Sequence, residues 1–314
     1  PIPNPQSPIP NPQSPWIKFF FLKFNFNLIK AYIKMEIQNI QEIEKLKKLL
    51  SETETILIGA GSGLSTSAGM LYSGETFQKN FADFIAKYHF KDLYTASFHN
   101  FEDPQEFWAF WSRLIHYERY TMPPKPVYQK LFSLVKNKNY FVITTNVDHF
   151  FQRTGFDKQR LFYTQGDYGL LQCKTPCHQK NYDNEELIEK MFSTQKEMKV
   201  NKELIPKCPK CGGEMYPNLR AGDNFVEDEG WHLAAERYHN FLDKYKNGKI
   251  VFLDLGSGMN TPAIFKFPFV KMTMMNKNAT YVSINLGEAF CFEKIKNQSI
   301  CINMDIGTVL NKLE

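Results

Sequence analysis

No part of this 314-residue chain is basic, apolar or cysteine-rich enough to place it in one of the more specialised protein classes. The formal net charge is +5, from 38 Lys and Arg against 33 Asp and Glu. Those charges are scattered, whereas a nucleic-acid binder gathers its basic residues into a patch or stripe. The one local excess, around Lys45–Lys48, reads as the solvated face of a helix. No stretch reads as a membrane span. The Phe-rich segment 16–30 is interrupted by lysines and asparagines, and a span needs ~20 predominantly apolar residues. That segment also lacks a clear small-residue cleavage site, so it does not read as a secretory signal. Six cysteines do not make a secreted disulfide framework at this length and point to a reducing, intracellular compartment. With 43% hydrophobic and 15% aromatic residues, the chain can bury a full core, as one large domain or as one domain with a smaller module.

The first 34 residues stand apart from the rest of the chain. Residues 1–14 are the heptapeptide Pro-Ile-Pro-Asn-Pro-Gln-Ser written twice, a composition that cannot pack a core and is expected to be extended or disordered. The chain begins with Pro1, and Met35 is expected to be the true start. Residues 1–34 are then a disordered leader or a gene-model extension, with an organelle-targeting or membrane-surface leader as the functional alternative.

From Met35 the elements come in a coherent order. Ile37, Ile40, Ile43, Leu46 and Leu50 recur at three- and four-residue spacing, which predicts an amphipathic helix over 36–51. Strands are predicted at 55–59, 141–144, 250–255 and 280–285, and helices with aromatic faces at 75–95 and 103–120. Phe107, Trp108, Phe110 and Trp111 read as core. Short apolar strands alternating with helices, several ending in Gly, Ser or Asn, predict an α/β fold: a Rossmann-like open parallel sheet with ligand groups at the strand C-termini.

The first of those strand ends carries the strongest signal. Ile56-Leu57-Ile58-Gly59-Ala60-Gly61-Ser62-Gly63-Leu64-Ser65 passes from an apolar run into glycines and small hydroxyl residues. Glycines at 59, 61 and 63 allow a sharp turn and a close approach to an anionic ligand, which the free N–H groups of a following helix would face. A tight turn with no ligand is the plain alternative. A second cluster, Thr144-Thr145-Asn146-Val147-Asp148-His149, comes after the next strand, and Gln165-Gly166-Asp167-Tyr168-Gly169 soon after that. Asn146 and Asp148 could equally cap a helix there.

Segment 173–211 breaks the α/β rhythm. Cys173 and Cys177 are separated by three residues, and Cys208 and Cys211 by two. Two such pairs about thirty residues apart suit a tetrahedral thiolate site for Zn²⁺, structural because four protein ligands leave no open position. His178 could replace Cys177 in that set.

These motifs and their order resemble the sirtuins, from about residue 50 to the C-terminus. That family has a glycine turn, a Thr-Gln-Asn-Ile-Asp segment, a His-Gly pair before the first zinc cysteines, a second cysteine pair, a Gly-Thr-Ser turn and an Asn-containing strand end. The resemblance implies a sirtuin-type catalytic domain over 35–314, with a smaller zinc module inserted at about 170–215. It implies NAD as cofactor, held by Gly59, Ala60, Gly61, Ser62, Ser65, Gly69, Thr145, Gly256, Ser257, Asn285, Leu286 and Ile306. Asn146, Asp148 and Gln165 take the catalytic places, and Cys173, Cys177, Cys208 and Cys211 the zinc.

The chain also departs from the deacylase pattern. Where deacylases have Gly-Ile-Pro-Asp-Phe-Arg, it has Gly69-Met70-Leu71-Tyr72-Ser73-Gly74, and Gln165 stands in place of the catalytic histidine. Both changes resemble the macrodomain-linked class M sirtuins. They imply NAD-dependent protein mono-ADP-ribosylation, with a protein acceptor such as a lipoylated carrier resembling the glycine-cleavage H protein. A glutamine amide cannot take a proton near neutral pH, and losing a general base costs about 10²–10⁴ in rate. Cleavage of the nicotinamide–ribose bond depends instead on orientation and charge stabilisation. A sirtuin-fold NAD hydrolase and a non-catalytic NAD-binding sensor are the alternative readings. Tyr72, Asn218, Arg220 and Asp223 are expected on the acceptor side, without assigned roles.

Overall fold

The computed structural model describes residues 15–70, 74–123, 125–259 and 261–313, with side chains from residue 33 onward. Its framework is a six-stranded parallel sheet. The strands of that sheet are β1 (Thr55–Ala60), β2 (Asn139–Thr144), β3 (Leu161–Tyr163), β7 (Ile250–Leu255), β8 (Ala279–Ile284) and β9 (Ser299–Ile302). Their order across the sheet is β3-β2-β1-β7-β8-β9. The chain leaves β1 to one side and returns to its other side with β7, so the switch point lies between β1 and β7. In open parallel sheets ligands bind at such a point, outside the carboxyl ends of the strands.

Alternation within β1 explains the packing of both faces. Ile56, Ile58 and Ala60 join a core built with α1 (Pro15–Ser51) and the helices Pro126–Val135 and Ile306–Leu313. Leu57 faces the opposite way, toward the aromatic layer of Tyr238, Phe265 and Phe269 on the helices Glu229–Tyr245 and Lys266–Met275 and the residue preceding the latter. Such two-sided burial is why these strands are almost continuously apolar.

The remaining strands, β4 (Gly166–Cys173), β5 (Tyr182–Asp183) and β6 (Met215–Leu219), form a small antiparallel sheet in the order β5-β4-β6. Its inner residues Leu171, Cys173 and Met215 pack with Phe77, Phe81, Phe84, Trp108, Phe110 and Trp111 into a second core. The helix expected over 75–95 is three short helices, Glu75–Asn80, Ala82–Tyr88 and Leu93–Ser97. Between the second and third, His89 turns left-handed at φ 57. The predicted helix 103–120 is α-helical over Pro104–Ile115 and continues as a π-helical turn, His116–Thr121.

Two findings depart from the sequence reading. Helix α1 starts at Pro15, inside the segment set apart as a disordered leader, and runs unbroken into the amphipathic stretch. No glycine, and no proline after Pro15, interrupts it. Residues 1–14 lie outside the described residues. The second finding concerns cysteine: Cys291 and Cys301 form a disulfide with a Cα–Cα distance of 5.8 Å. They belong to neither zinc pair, and only the fold brings the segment after β8 back beside β9. Among the described residues no helix is long and apolar enough to cross a membrane.

Candidate active site

The parallel register sets the strand ends side by side. Ala60 pairs with Thr144 on one flank and Leu255 on the other, and Leu255 pairs with Ile284. The next residue on each strand is therefore Gly61, Thr145, Gly256 or Asn285, four of the residues expected to hold the cofactor. The first turn fits against the third: Gly61 N–H donates to Leu255 O and Gly63 N–H to Gly256 O, both at 3.0 Å. A Cβ on Gly63 would lie 2.6 Å from the Gly256 Cα, so only glycine allows this contact. Helix α2 (Ser62–Ser67) leads away from the turn.

The glycines that shape this turn are 61 and 63. Gly59 and Ala60 belong to β1 itself, and a Cβ on Gly59 would meet the Phe265 ring at 2.3 Å. Gly59 thus faces the aromatic layer behind the sheet, by the same alternation that directs Leu57 there. Ile306 is 2% exposed within the core, and Leu286 is 69% exposed beyond the end of β8. Gly69 lines a separate cavity of about 300 Å³, and Leu71–Ser73 lie outside the described residues.

A cleft of about 960 Å³ opens at the end of β2 beside the glycine turn, and Ser62, Thr145, Asn146, Asp148 and Gln165 all line it, whereas Gly61, Gly256, Ser257 and Asn285 are not part of its lining. Asn146 donates through Nδ2 to Gly61 O at 3.0 Å, tying the end of β2 to the glycine turn. Asp148, 3% exposed, accepts from Ser65 Oγ at 2.6 Å and from the Phe150 N–H at 3.0 Å, with the Tyr128 hydroxyl at 3.4 Å. Burial holds its carboxyl above the usual range, against the pull of these donors. Asn146 and Asp148 precede the helix Phe150–Thr154, so the capping alternative holds in part for Asp148 through Phe150 N. Gln165 sits in the tight turn between β3 and β4, its backbone oxygen receiving Arg220 N–H at 3.0 Å.

Behind that turn Asp167 is fully enclosed. It accepts from Arg119 Nε at 2.8 Å and Gly169 N–H at 2.7 Å, and pairs with His149 Nδ1. Burial pushes its carboxyl up, but His149 and Arg119 outweigh that and hold it below the usual range. On the third strand end Ser257 Oγ donates to Asp254 Oδ1 at 2.5 Å, and Asp254 also receives the Tyr281 hydroxyl at 2.7 Å and faces Lys266 Nζ at 3.4 Å. Asn285 Nδ2 reaches Ser257 O at 3.2 Å.

The other wall of the cleft is aromatic, with Phe98, Phe101, Phe107, Trp111, Tyr168 and Tyr216. Phe107 and Trp111 therefore serve core and cleft together, which helical periodicity alone could not separate. Arg220 lines the same wall, its guanidinium 4.2 Å from the Phe225 ring centroid. Asn218 is instead buried, donating to Gln172 Oε1 at 2.7 Å, and Asp223 is exposed. The cleft also exposes a residue with no motif around it, Glu118.

Cys173, Cys177, Cys208 and Cys211 have all their sulfur atoms within 4.8 Å of one another. Cys173 and Cys211 are 3.7 Å apart, Cys177 and Cys208 3.6 Å. Four thiolates about 2.3 Å from a tetrahedral zinc would stand about 3.8 Å apart, so the quartet fits that ion. His178 lies outside it: Nδ1 is 3.0 Å from Cys177 Sγ, and Nε2 is 2.8 Å from the Tyr182 hydroxyl. A histidine placed this way supports a ligand and does not replace it.

Comparison with known proteins agrees with this architecture. The profile of the Sir2 family matches residues 61–242. A protein ADP-ribosyltransferase of Staphylococcus aureus (strain Mu50 / ATCC 700699) is 39% identical over 274 residues, 87% of each chain. A probable bifunctional ADP-ribose hydrolase/ADP-ribosyltransferase of Fusarium oxysporum f. sp. cubense is 30% identical over 84% of this chain, which spans 46% of that longer protein. The solved structure described as "The Structural basis of Sirtuin Substrate Affinity" shares the fold at a TM-score of 0.56 and 22% identity, covering 86% of this chain and 96% of that one. "Sir2-p53 peptide-NAD+" aligns over the same shares at 0.51 and 19%.

Proposed function

The chain belongs to the Sir2 family, and from that premise we propose that it is an NAD-dependent protein mono-ADP-ribosyltransferase with little deacylase activity. Gln165 carries this reading. It lines the cleft beside Asn146 and Asp148, at the place where the resemblance puts a deacylase histidine. Its amide can position a ribose hydroxyl but cannot accept a proton from it. The name of the Staphylococcus relative supports the same activity.

In this reading NAD supplies an ADP-ribosyl group joined to a cationic leaving group, nicotinamide, so bond cleavage needs orientation more than acid catalysis. The close-packed turns at Gly61–Gly63 and Gly256, whose own N–H groups bond within the protein, would let the phosphates and ribose approach, with Ser62 in the cleft wall to meet them. Asn146, fixed through Gly61, orients the ribose. Asp148, fixed through Ser65, faces the nicotinamide side. Zinc on the four cysteines joins β4 to the segment before β6 and takes no part in the chemistry.

For the acceptor we propose a lipoylated carrier protein resembling the glycine-cleavage H protein. The aromatic wall of Phe98, Phe101, Phe107 and Trp111 suits a long apolar arm entering toward Gln165. Incubation with labelled NAD and such a carrier, with and without its lipoyl group, tests this. Label on the lipoylated form alone is expected. Equal labelling of both forms would refute the arm, and nicotinamide release without any labelled protein would favour a hydrolase.

A further inference from the structure

We propose that Glu118 is the base that takes the proton from the acceptor nucleophile as ADP-ribose is transferred. The proposal rests on the transferase reading and adds a residue to it that no motif marks.

Glu118 lies on the π-helical turn His116–Thr121 and is 8% exposed. That turn ends the helix Pro104–Ile115, and π-helical turns are frequent at functional sites. Glu118 lines both the cleft that holds Asn146, Asp148 and Gln165 and the adjoining cavity of about 300 Å³. Among the described residues nothing hydrogen-bonds its buried Oε2. Buried carboxylate oxygens are ordinarily satisfied. Glu118 thus keeps a carboxylate oxygen uncommitted to the protein in a residue that lines the cleft.

Its surroundings suit the task. Burial, reinforced by the negative Asp148 and opposed by Lys125, pushes its carboxyl up to about 7. A base titrating there is partly ionised at neutral pH and still basic enough to accept a proton, the compromise that favours general-base catalysis. Neither neighbour can replace it. Asp148 is occupied by Ser65, Phe150 N and Tyr128, and Gln165 has no basic atom.

The step balances. The bond from ribose C1′ to the nicotinamide nitrogen breaks, its electron pair neutralising the nicotinamide. The nucleophile's lone pair forms the new bond to C1′, and its proton passes to the Glu118 carboxylate.

Two small acceptors test the role without knowledge of the natural one: methanol, which must lose a proton, and azide, which has none to lose. Nicotinamide release is followed for the full chain and for Glu118→Gln, which mimics the neutral acid in size. Methanol-dependent release is expected to fall by about 10²–10⁴ in the variant, while azide-dependent release survives. In the unsubstituted protein the methanol reaction should lose rate on the acid side of about pH 7, and the azide reaction should not. This second measurement needs no variant, so it stands even if Glu118→Gln folds poorly. An equal fall with both acceptors, an undiminished methanol reaction, or a methanol profile without that acid limb would overturn the assignment. If the unsubstituted protein releases nicotinamide with neither acceptor, the transferase reading itself fails.

Discussion

Asn146 is a single residue whose side chain joins two strand ends, and its substitution should separate catalysis from folding. Asn146→Ala removes the bond to Gly61 O, a loss on the order of 1–2 kcal/mol of stability. Nicotinamide release should fall far more, by about 100-fold or beyond, because no neighbouring group replaces the amide. Thermal melting and turnover measured on one preparation check this, and parallel modest losses would show a purely structural role. Glu118 offers a test by pH. A carboxyl titrating higher in the folded chain than in the unfolded one holds its proton more tightly when folded. Its contribution to stability is therefore intact below its ordinary value of 4.5 and lost as pH rises through about 7. Glu118→Gln abolishes that loss, so its stability relative to the parent should improve by roughly 3 kcal/mol from about pH 4 to about pH 8. Urea unfolding at the two pH values reads this directly, and a constant difference would show that Glu118 is not perturbed. At this scale strand ends and motif order single out Asn146, Asp148 and Gln165 in the sequence, and the structure brings the three to one cleft. The sequence was silent on Glu118, whose character comes from burial and from Asp148 across the fold.

Among the elements, the strand ends and the cysteine pairs were the legible parts, since each is a local pattern: an apolar run meeting glycine, or a short spacing of thiols. The glycine run misled by one step. Gly59 and Gly61 look alike in sequence, but alternation along β1 sends the first toward Phe265 and leaves the second in the turn. The short strands β3, β5 and β9 carry too few residues to show a period, and the Cys291–Cys301 bond depends on pairing between β8 and β9. That bond closes a loop of separation 10, so Cys301→Ser should cost about 2–3 kcal/mol on the loop-entropy account. An unchanged midpoint under oxidising conditions would mean the bond adds nothing. The thiolate quartet should bind about one zinc per chain, and Cys208→Ser should lose the metal and unfold the small sheet. A metal-free, fully folded preparation by elemental analysis and circular dichroism would contradict it.

For the whole molecule, the parallel order β3-β2-β1-β7-β8-β9 brings segments far apart in sequence to one edge. The alternation of strands and helices made the class of fold readable, although the helix before β1 extends beyond its expected start. Among the described side chains of this helix, Asn39 donates to Asn303 O at 3.0 Å, and Ile43, Leu46 and Leu50 enter the core. Ile33 is exposed. A chain starting at Met35 should therefore keep its melting temperature within a few degrees, the size of a ~1 kcal/mol change. A large fall would place residues 1–34 in the folded unit. The central claim is that this family member transfers ADP-ribose and does not deacylate. The most direct measurement incubates the pure protein with NAD, an acetyl-lysine peptide and the lipoylated carrier, following nicotinamide, deacetylated peptide and ADP-ribosylated carrier together. The account predicts nicotinamide release matched by labelled carrier, with the peptide's acetyl group left in place. Deacetylation at a rate comparable to carrier labelling would contradict it.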